Sequence, residues 1–349
     1  MGQHLLSDHT TLRLGGPAPL WLTHTDPADW ETIVRTTGEH GALPFTLGGG
    51  SNTLADEHGT HRPVIHMNTR GIQTRTAAGG QVEVSVQAGH ALADLVAHTV
   101  AEGLSGIEYL GGIPGTAGAA PVQNAGAYGQ EIGDTLTVVF AHDWTTGRTV
   151  RLNAKECGFG YRTSIFKQHP GRWTILNLTL RLNRSPAAAP VRYQHLATTL
   201  DVPLGTRPAL DEGAAAVLHD RQIRGLLLPE SGPDRRQAGS CFLNPTITTT
   251  QADSLRRLKG PLHTTPTDSR LRASAGWLLE HCGFQPGGEV APGVRCSSRR
   301  TLTLTAQVGA TCATFGQALA TMTARVREAT GITLNPEPAL VTPPPRRGR

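Results

Sequence analysis

The segment from Gly111 to Gly129 constrains the fold of this chain most, because six of its 19 residues are glycine and none is charged. A mobile linker is one interpretation, but linkers seldom carry Ile, Val, Pro and Tyr at this density. The polar side chains of Thr116, Gln123 and Asn124 could hydrogen-bond the heteroatoms of a ring system. We therefore predict a loop that passes along a flat cofactor.

A second glycine-rich segment, Leu47-Gly-Gly-Gly-Ser-Asn52, follows a predicted strand. Glycines there let the backbone approach a ligand closely and present N–H groups to phosphate oxygens. Ser51 and Asn52 add a hydroxyl and an amide. The segment is neither a P-loop nor a G-x-G-x-x-G fingerprint. The residues alone therefore leave phosphate binding and a plain tight turn equally open.

Three further segments each carry one candidate functional side chain. Arg162 lies in the aromatic and apolar run Phe159–Lys167, where an arginine either extends to the surface or binds a carboxylate, and the residues alone favour the surface. Ser240 follows a glycine without a G-x-S-x-G motif, which favours a turn serine over a hydrolase nucleophile. Glu337 lies between two prolines, a pattern typical of a surface turn.

Composition excludes several classes of protein. The 349 residues allow two or three domains at roughly 150 residues each, and no apolar run approaches the ~20 residues of a membrane helix. The first residues show neither the basic run nor the apolar run of a signal peptide, and the five Cys contain no CxxC pair, so we expect a cytoplasmic protein with unreactive thiols and no metal site. The net charge of +5 is scattered, which disfavours nucleic-acid binding. Since 29 of the 32 basic residues are Arg, bound anions must be held mostly by Arg side chains, backbone N–H groups or hydroxyls.

The order of predicted elements is typical of an α+β protein. Hydrophobic periodicity and capping residues predict helices at 26–37, 91–102, 210–223, 274–282 and 314–330. Alternating or apolar runs predict strands at 20–23, 43–47, 63–67, 81–86, 135–140, 148–152, 173–182, 240–243 and 301–305. The Pro- and Ala-rich run 185–204 is interpreted as a crossover between domains.

Taken in order, these segments resemble the UDP-N-acetylenolpyruvoylglucosamine reductases of peptidoglycan synthesis, over nearly the whole chain from about Leu6 to Val341. The resemblance rests on His9–Ala18, on the two glycine-rich segments, on Phe159–Lys167, and on Gly239-Ser-Cys-Phe-Leu-Asn-Pro245, Ser274–Glu280 and Pro336-Glu-Pro338. It implies a two-lobed FAD-binding domain of the vanillyl-alcohol-oxidase (PCMH) type, followed by an α+β substrate-binding domain. We expect the lobes at 1–70 and 71–205, the substrate domain at 206–342 and a flexible tail at 343–349.

The resemblance also implies a cofactor, FAD, and a hydride donor, NADPH. The segment Gly48–Asn52 is expected to hold the FAD pyrophosphate, and the segment Gly111–Gly129 is expected to pass along the flavin. The implied FAD-binding residues are Gly48, Gly49, Gly50, Ser51, Asn52, Pro114, Gly115, Thr116, Gly118, Gln123, Asn124, Gly126, Ala127, Tyr128 and Gly129.

The family's three catalytic positions match Arg162, Ser240 and Glu337. The implied reaction reduces an enolpyruvyl ether, with the arginine on the substrate carboxylate, the glutamate beside it, and the serine as proton donor to C2. The residues that match substrate contacts are Tyr161, Arg162, Tyr193, Arg224 and Asn244. The expected partner is a small nucleotide-sugar substrate, with no nucleic acid and no membrane insertion, and the protein is expected to be a monomer.

Four positions depart from the family pattern, and one of them is Gln194, which stands where glycine often follows the tyrosine. Ala120 replaces a small hydroxyl residue before the proline of the flavin loop, and Leu227 and Leu243 replace lysines. The two leucines leave open a reductase that acts on another enolpyruvyl nucleotide in specialised metabolism. A flavin- or nucleotide-binding protein without catalysis is a further alternative, but the intact catalytic positions argue against it.

Overall fold

The computed structural model describes residues 4–265 and 268–343. The α-helices are α1 (Trp30–His40), α2 (Leu92–Ala101), α3 (Ile165–Gln168), α4 (Gln194–Leu200), α5 (Leu210–Ile223), α6 (Thr249–Arg257), α7 (Ala275–His281) and α8 (Cys312–Thr330). The strands are β1 (Trp21–His24), β2 (Phe45–Leu47), β3 (Thr53–Ala55), β4 (Val64–Met67), β5 (Ile72–Thr76), β6 (Gln81–Gln87), β7 (Leu104–Ser105), β8 (Gly126–Ala127), β9 (Gln130–Glu131), β10 (Leu136–Asp143), β11 (Arg148–Asn153), β12 (Trp173–Arg184), β13 (Gln237–Ser240), β14 (Leu262–Thr265), β15 (Asp268–Ala273), β16 (Glu289–Ala291), β17 (Val294–Cys296), β18 (Thr303–Ala306) and β19 (Ala339–Val341).

The described residues divide into two compact units. The central unit comprises residues 20–49 and 62–227, and the C-terminal unit comprises residues 4–19, 50–61, 228–265 and 268–343. This division differs from the successive domains expected from the sequence, whose boundaries were placed at 70 and 205. The physical reason is long-range pairing: β3 forms a parallel pair with β19, which joins residues 53–55 to the end of the chain. Of the expected tail 343–349, residues 344–349 lie outside the described residues.

The central unit is built on a mixed arrangement of two sheets. Strands β11, β10, β12, β6 and β5 form an antiparallel sheet, and β7 pairs with the last residues of β12. Strands β1, β4 and β2 form a separate parallel sheet. The alternation that predicts a strand at 81–86 is confirmed, because Val82, Val84 and Val86 are buried and the residues between them are not. Leu178, Leu180 and others from β12 pack in the same core.

Helix ends in the central unit follow their sequence signals. Helix α2 ends before Gly103, which adopts a left-handed conformation (φ +66°), as expected for a glycine just past a helix. Helix α5 has the bounds predicted for it, 210–223, but it belongs to the central unit rather than to the expected substrate domain. The run 185–204 contains helix α4, which the sequence did not predict.

The C-terminal unit packs helices against a small antiparallel sheet. Strands β13, β18, β17 and β16 form the sheet, and α7 and α8 cover the core through Leu278, Phe315, Met322 and other apolar side chains. Helix α8 begins at a capping box formed by Thr311 and Thr314. The strand predicted at 240–243 is displaced, because β13 ends at Ser240. Across the described ranges, no helix is long and apolar enough to span a membrane.

Candidate active site

The segment 111–129 is an ordered loop and not a linker. The amides of Ala117 and Gly118 donate to the carbonyls of His90 and Ala88, at 2.8 and 2.9 Å. A 3-10 turn follows at Ala120–Gln123, and the segment then forms the β8–β9 hairpin. The sequence did not predict this internal structure, because glycine and short polar runs carry no hydrophobic periodicity.

The two glycine-rich segments meet inside the central unit. A Cβ atom at Gly48 would lie 2.5 Å from Thr116 Oγ1, and one at Gly49 would lie 3.0 Å from the Cα of Gly115. A side chain at Gly49 would therefore crowd the facing backbone, and one at Gly48 would displace the Thr116 hydroxyl. Gly50, Ser51 and Asn52 continue the same segment into the C-terminal unit.

Thr116 carries an unsatisfied polar group at this crossing. Its side chain is buried, and within the described residues its hydroxyl has no hydrogen-bond partner. A buried hydroxyl left in this way costs free energy that a bound ligand would recover. The crossing therefore combines a glycine-only approach with a hydroxyl suited to a polar ligand atom.

The side chain of Asn124 is engaged by the protein itself. Its Nδ2 donates to Glu131 Oε2 at 2.7 Å and to the carbonyl of Gly160 at 3.2 Å, while its Oδ1 accepts from the amide of Gly133 at 3.0 Å. Asn124 adopts a left-handed conformation (φ +48°). Its amide therefore shapes the loop, in addition to any ligand contact expected for it.

Arg162 is the third residue of a tight turn in which Gly160 and Thr163 exchange two backbone hydrogen bonds. Its φ of +53° is the left-handed value that a type II turn requires at this position. The guanidinium bends back onto the glycine-rich loop, where Nη1 donates to the carbonyl of Asn124 at 3.2 Å and Nη2 donates to the carbonyl of Gly126. The surface interpretation favoured by the residues alone is therefore wrong, since the side chain is only 21% exposed.

Ser240 and Glu337 lie on adjacent backbone segments of the C-terminal unit. The amide of Glu337 donates to the carbonyl of Cys241 at 2.9 Å, and the amide of Leu243 donates to the carbonyl of Asn335 at 3.0 Å. Asn52 Nδ2 donates to the carbonyl of Glu337 at 3.3 Å, which brings the end of the segment Leu47–Asn52 to the same place. Both candidate side chains are partly exposed.

The group next to Ser240 is not a competing nucleophile. Burial raises the pKa of the Cys241 thiol to about 12, which keeps it protonated and unreactive at neutral pH. Ser240 Oγ has no side-chain hydrogen bond to any residue that the structure describes. The serine hydroxyl is therefore available to an outside group, and the thiol is not.

A second cluster of candidate residues surrounds Asp220. The Tyr128 hydroxyl donates to Asp220 Oδ2 at 2.6 Å, and Arg224 Nη1 donates to the same oxygen at 3.2 Å. Burial, with the neighbouring carboxylate of Asp220, raises the pKa of Tyr128 well above its usual value. Tyr193 stands edge-on to Tyr128 with ring centroids 6.2 Å apart and is 47% exposed.

Sequence reasoning missed Arg221 in this cluster. The side chain is buried, and its Nη2 donates to the carbonyls of Gly112 and Leu226 at 3.2 and 3.0 Å. It thereby ties helix α5 to the start of the glycine-rich loop. The sequence signal for Arg221 was its position three residues before Arg224, in the last turn of α5. An arginine there is also explained by its favourable interaction with the helix dipole, so this signal was not specific.

Asn244 and Tyr161 complete the predicted residues. Asn244 Oδ1 accepts from the amide of Ala275 at 2.9 Å, and its Nδ2 lies 2.9 Å from His263 Nε2, so it helps to fix the start of α7. The Arg162 guanidinium carbon lies 5.4 Å from the centre of the Tyr161 ring, within cation–π range.

The structure therefore groups the predicted residues by unit. The central unit holds Gly48, Gly49, Pro114, Gly115, Thr116, Gly118, Gln123, Asn124, Gly126, Ala127, Tyr128, Gly129, Tyr161, Arg162, Tyr193 and Arg224, and the C-terminal unit holds Gly50, Ser51, Asn52, Ser240, Asn244 and Glu337. Among the described residues, no group of three or more His, Cys, Asp or Glu side chains could hold a metal ion.

Comparison with known proteins assigns the chain to a family. Residues 19–153 match the family model of an FAD binding domain, and residues 232–341 match that of the C-terminal domain of UDP-N-acetylenolpyruvoylglucosamine reductase. The UDP-N-acetylenolpyruvoylglucosamine reductase of Salinispora arenicola is 41% identical over 342 residues, which covers 96% of this chain and 94% of that protein. The chain belongs to this reductase family.

Other members of the UDP-N-acetylenolpyruvoylglucosamine reductase family are similar over comparable lengths. The Thermobifida fusca protein of that name is 38% identical, over 96% of each chain. The crystal structure of the reductase from Thermus caldophilus covers 97% of this chain and 98% of its own, with a TM-score of 0.64 and 24% identity, and it supports the fold. The predicted fold class is confirmed, and the protein is a flavoprotein oxidoreductase with FAD as its cofactor.

The residues present fit that cofactor. The crossing of the two glycine-rich segments at Gly48 and Gly49 offers backbone groups without intervening side chains, as a pyrophosphate requires. The unpartnered hydroxyl of Thr116 lies at the same crossing. No charged side chain is needed there, because N–H groups and hydroxyls can bind phosphate oxygens.

Proposed function

We propose that the protein reduces UDP-N-acetylglucosamine enolpyruvate to UDP-N-acetylmuramate, with NADPH as the electron donor, in peptidoglycan precursor synthesis. Support comes from the relatives that carry this reductase name over nearly the full length of the chain. The single observation that carries the proposal is the placement of Arg162. Its guanidinium is held against the glycine-rich loop by two backbone carbonyls.

The arginine is suited to the enolpyruvyl carboxylate of the substrate. Two hydrogen bonds to carbonyls leave three of its five N–H groups without a hydrogen-bond acceptor in the described part of the chain. A guanidinium binds a carboxylate through two parallel N–H groups. When negative charge develops at C2 and spreads onto the carboxylate, a fixed cation stabilises that charge without reorganising.

FAD, when bound, would supply the hydride-transfer chemistry between NADPH and C3 of the enolpyruvyl group. The chain's part is to hold it, through the backbone of Gly48–Asn52, the hydroxyl of Thr116 and the backbone of the loop up to Gly129. Hydrogen bonds of Arg162 to the carbonyls of that loop fix the loop and the cation together.

Ser240 is proposed as the general acid that protonates C2. Its hydroxyl is partly exposed and makes no side-chain hydrogen bond to a described residue, so it can donate to the substrate. Glu337 is proposed to hydrogen-bond the substrate carboxylate or share a proton with it, which stabilises the protonated form of the developing anion. Proton donation by a positioned group typically contributes about 10²–10⁴-fold to the rate.

The nucleotide part of the substrate is assigned to the cluster at Asp220 and to Asn244. Tyr193 is half-exposed beside Tyr128 and can close over a flat base. Arg224, which is partly exposed while paired with Asp220, can reach a phosphate. These assignments extend the family resemblance to residues that the structure leaves accessible.

The flavin absorbance of the purified protein tests this function. NADPH should bleach the spectrum, and UDP-N-acetylglucosamine enolpyruvate should restore it. The variant S240A should keep its bleaching by NADPH and lose about 100-fold or more of its turnover, because only the proton donor is removed. Turnover of S240A within a few-fold of the unaltered protein would remove the serine from this role.

A different enolpyruvyl nucleotide is the second candidate substrate, and one contact favours it. Leu227 lies against Gly112, since a Cβ atom added to that glycine would be 2.5 Å from Leu227 Cδ2. The loop therefore faces an apolar side chain at this position rather than the cation of a lysine. If NADPH bleaches the flavin but the UDP-N-acetylglucosamine derivative does not restore it, other enolpyruvyl nucleotides become the substrates to assay.

A further inference from the structure

Glu131 has no part in the proposed chemistry, yet it lies beside the guanidinium on which that chemistry depends. It stands opposite Gly126 in the β8–β9 hairpin, and Gly126 is one of the two residues whose carbonyls hold Arg162. Its Oε1 lies 3.7 Å from Arg162 Nη1, and its side chain is only 13% exposed. Within this part of the central unit, Glu131 is the carboxylate paired with Arg162.

The carboxylate is itself fixed on two sides. Its Oε2 accepts from Asn124 Nδ2 at 2.7 Å, and the side chain also caps the 3-10 turn that follows, by accepting from the amide of Asp134. In return, the Asp134 side chain accepts from the amide of Glu131 at 2.8 Å. Because these contacts lock its rotamer, the negative charge has one position relative to the loop.

Asn124 links this charge to the arginine. Its side chain is bound by Glu131 and by the carbonyl of Gly160, which belongs to the turn that carries Arg162. Its backbone carbonyl accepts from Arg162 Nη1. A shift of Glu131 would therefore be transmitted to the guanidinium through one residue.

Gly126 brings the guanidinium close to the hairpin. A Cβ at this position would lie 2.8 Å from Glu131 Cγ and 3.1 Å from Arg162 Nη1. The absence of a side chain lets the cation rest against the backbone, with Glu131 beside it. The distance of 3.7 Å provides attraction but exceeds a hydrogen-bond length, so it occupies none of the N–H groups that a substrate carboxylate needs.

We propose that Glu131 is a positioning residue for Arg162, acting through its charge and through Asn124 to set the direction of the guanidinium toward the substrate carboxylate; this inference rests on the role proposed for Arg162. A long arginine side chain has many rotamers, and a cation in a partly buried place needs a compensating charge. Glu131 supplies that charge and leaves the N–H groups free of hydrogen bonds to it.

The two half-reactions of the holoenzyme, measured separately by stopped-flow absorbance, test the proposal. The variant E131Q keeps an oxygen that can accept from Asn124 but removes the charge. We expect reoxidation by the enolpyruvyl nucleotide to slow about 10- to 100-fold, since small misplacements of a catalytic group cost up to about 10²-fold. Bleaching by NADPH should change less than twofold. The exposed Glu39 on α1 provides the matched control, E39Q, which should resemble the unaltered protein.

A double-mutant cycle separates positioning from a general structural role. In an R162K background, which lacks the planar guanidinium, E131Q should change the reoxidation rate less than twofold. With Arg162 intact, E131D should retain part of the rate that E131Q loses, because it keeps the negative charge. Calorimetry of the enolpyruvyl nucleotide on the oxidised protein, without NADPH, should show weaker binding for E131Q only when Arg162 is intact. If E131Q does not retain flavin, E131D takes its place in the cycle.

Two results would overturn the proposal: unchanged reoxidation in E131Q, or equal slowing in the native and R162K backgrounds. Failure of the proposed function is distinguishable, because it would appear in the unaltered protein. If the reduced native protein is not reoxidised by the enolpyruvyl nucleotide, the function falls first, and the role assigned to Glu131 falls with it.

Discussion

Two neighbourhoods of the central unit surround nitrogen-containing side chains with different groups. Around Arg162, two backbone carbonyls and a carboxylate surround the guanidinium cation. At the corner formed by His24, Trp30 and His142, the Trp30 ring packs tilted against His24 and T-shaped against His142, with centroids 5.1 and 5.5 Å apart. Within the described residues, neither nitrogen of either imidazole has a hydrogen-bond partner.

The difference lies in what each neighbourhood can tolerate. Burial lowers the pKa of His24 and of His142, and nearby carboxylates, Asp29 for the first and Asp143 for the second, oppose this only in part. The histidine corner is therefore stable when neutral, as an apolar core would be. The groups around Arg162 suit a cation, which is proposed to serve the chemistry, whereas the histidine corner disfavours a charge.

Removing the cation should produce the largest effect. R162A leaves the carbonyls of Asn124 and Gly126 without their donor, and it removes the group proposed to stabilise the developing negative charge. We expect the rate with the enolpyruvyl nucleotide to fall about 10³-fold, with bleaching by NADPH within a few-fold of normal. Stopped-flow absorbance measures both steps.

The exposed Arg148 on β11 offers a matched control, R148A, which should retain both rates. If the rate with the enolpyruvyl nucleotide fell less than tenfold in R162A, the chemistry would not depend on this cation. The difference between the two neighbourhoods would then have no functional meaning.

Lowering the pH should destabilise the folded protein through the histidine corner. Because the folded pKa values lie below those of the unfolded chain, the unfolded state binds more protons once the pH falls below about 6.5. The stability is fully present above that pH and is lost as the pH falls toward the folded pKa values. The limit is about 1.4 kcal/mol per pH unit for each histidine.

Urea unfolding at a series of pH values between 5 and 8 measures this loss. H142L replaces an unpartnered polar ring by an apolar side chain, so it should flatten the dependence and leave stability at pH 7.5 nearly unchanged. An equally steep dependence in H142L would assign the acid sensitivity to other groups.

The smallest effect is expected at Tyr128, where a neutral donor meets a carboxylate. Y128F removes the 2.6 Å hydrogen bond to Asp220 while the ion pair of Asp220 with Arg224 remains. The free energy of unfolding should fall by about 1 kcal/mol, measured in urea at pH 7.5. A change several times larger would indicate that Tyr128 and Arg224 are coupled through the shared oxygen, and the double variant Y128F/R224A would measure that coupling.

Local sequence signals predicted much of the fold. The alternation in β6, the bounds of α5 and the glycines after α2 and α8 depend on residues close together in the chain, and the structure confirms them. The sequence did not predict the β8–β9 hairpin. Its two turn residues, Tyr128 and Gly129, both have positive φ values, which is the pattern of a tight hairpin turn. Tyrosine is an unusual residue for such a position, so no sequence signal marked it.

The candidate site was predicted residue by residue but not as an arrangement. The residues alone could not place Arg162 on the glycine-rich loop, because its contacts with Asn124 and Gly126 span more than 30 positions of the chain. Glu131 and Arg221 were not singled out, since an ordinary carboxylate or arginine has no local signature. Their importance comes from their burial and from the carbonyls that they reach.

The sequence by itself determined the two glycine-rich segments that are proposed to hold the cofactor, because glycine runs depend on short-range backbone geometry. The tertiary structure alone decided which segments belong together. Residues 50–61 join the C-terminal unit through the pairing of β3 with β19, far apart in the chain. The tertiary structure alone also decided that the pKa values of His24 and His142 are lowered, because burial by long-range packing disfavours their charged form.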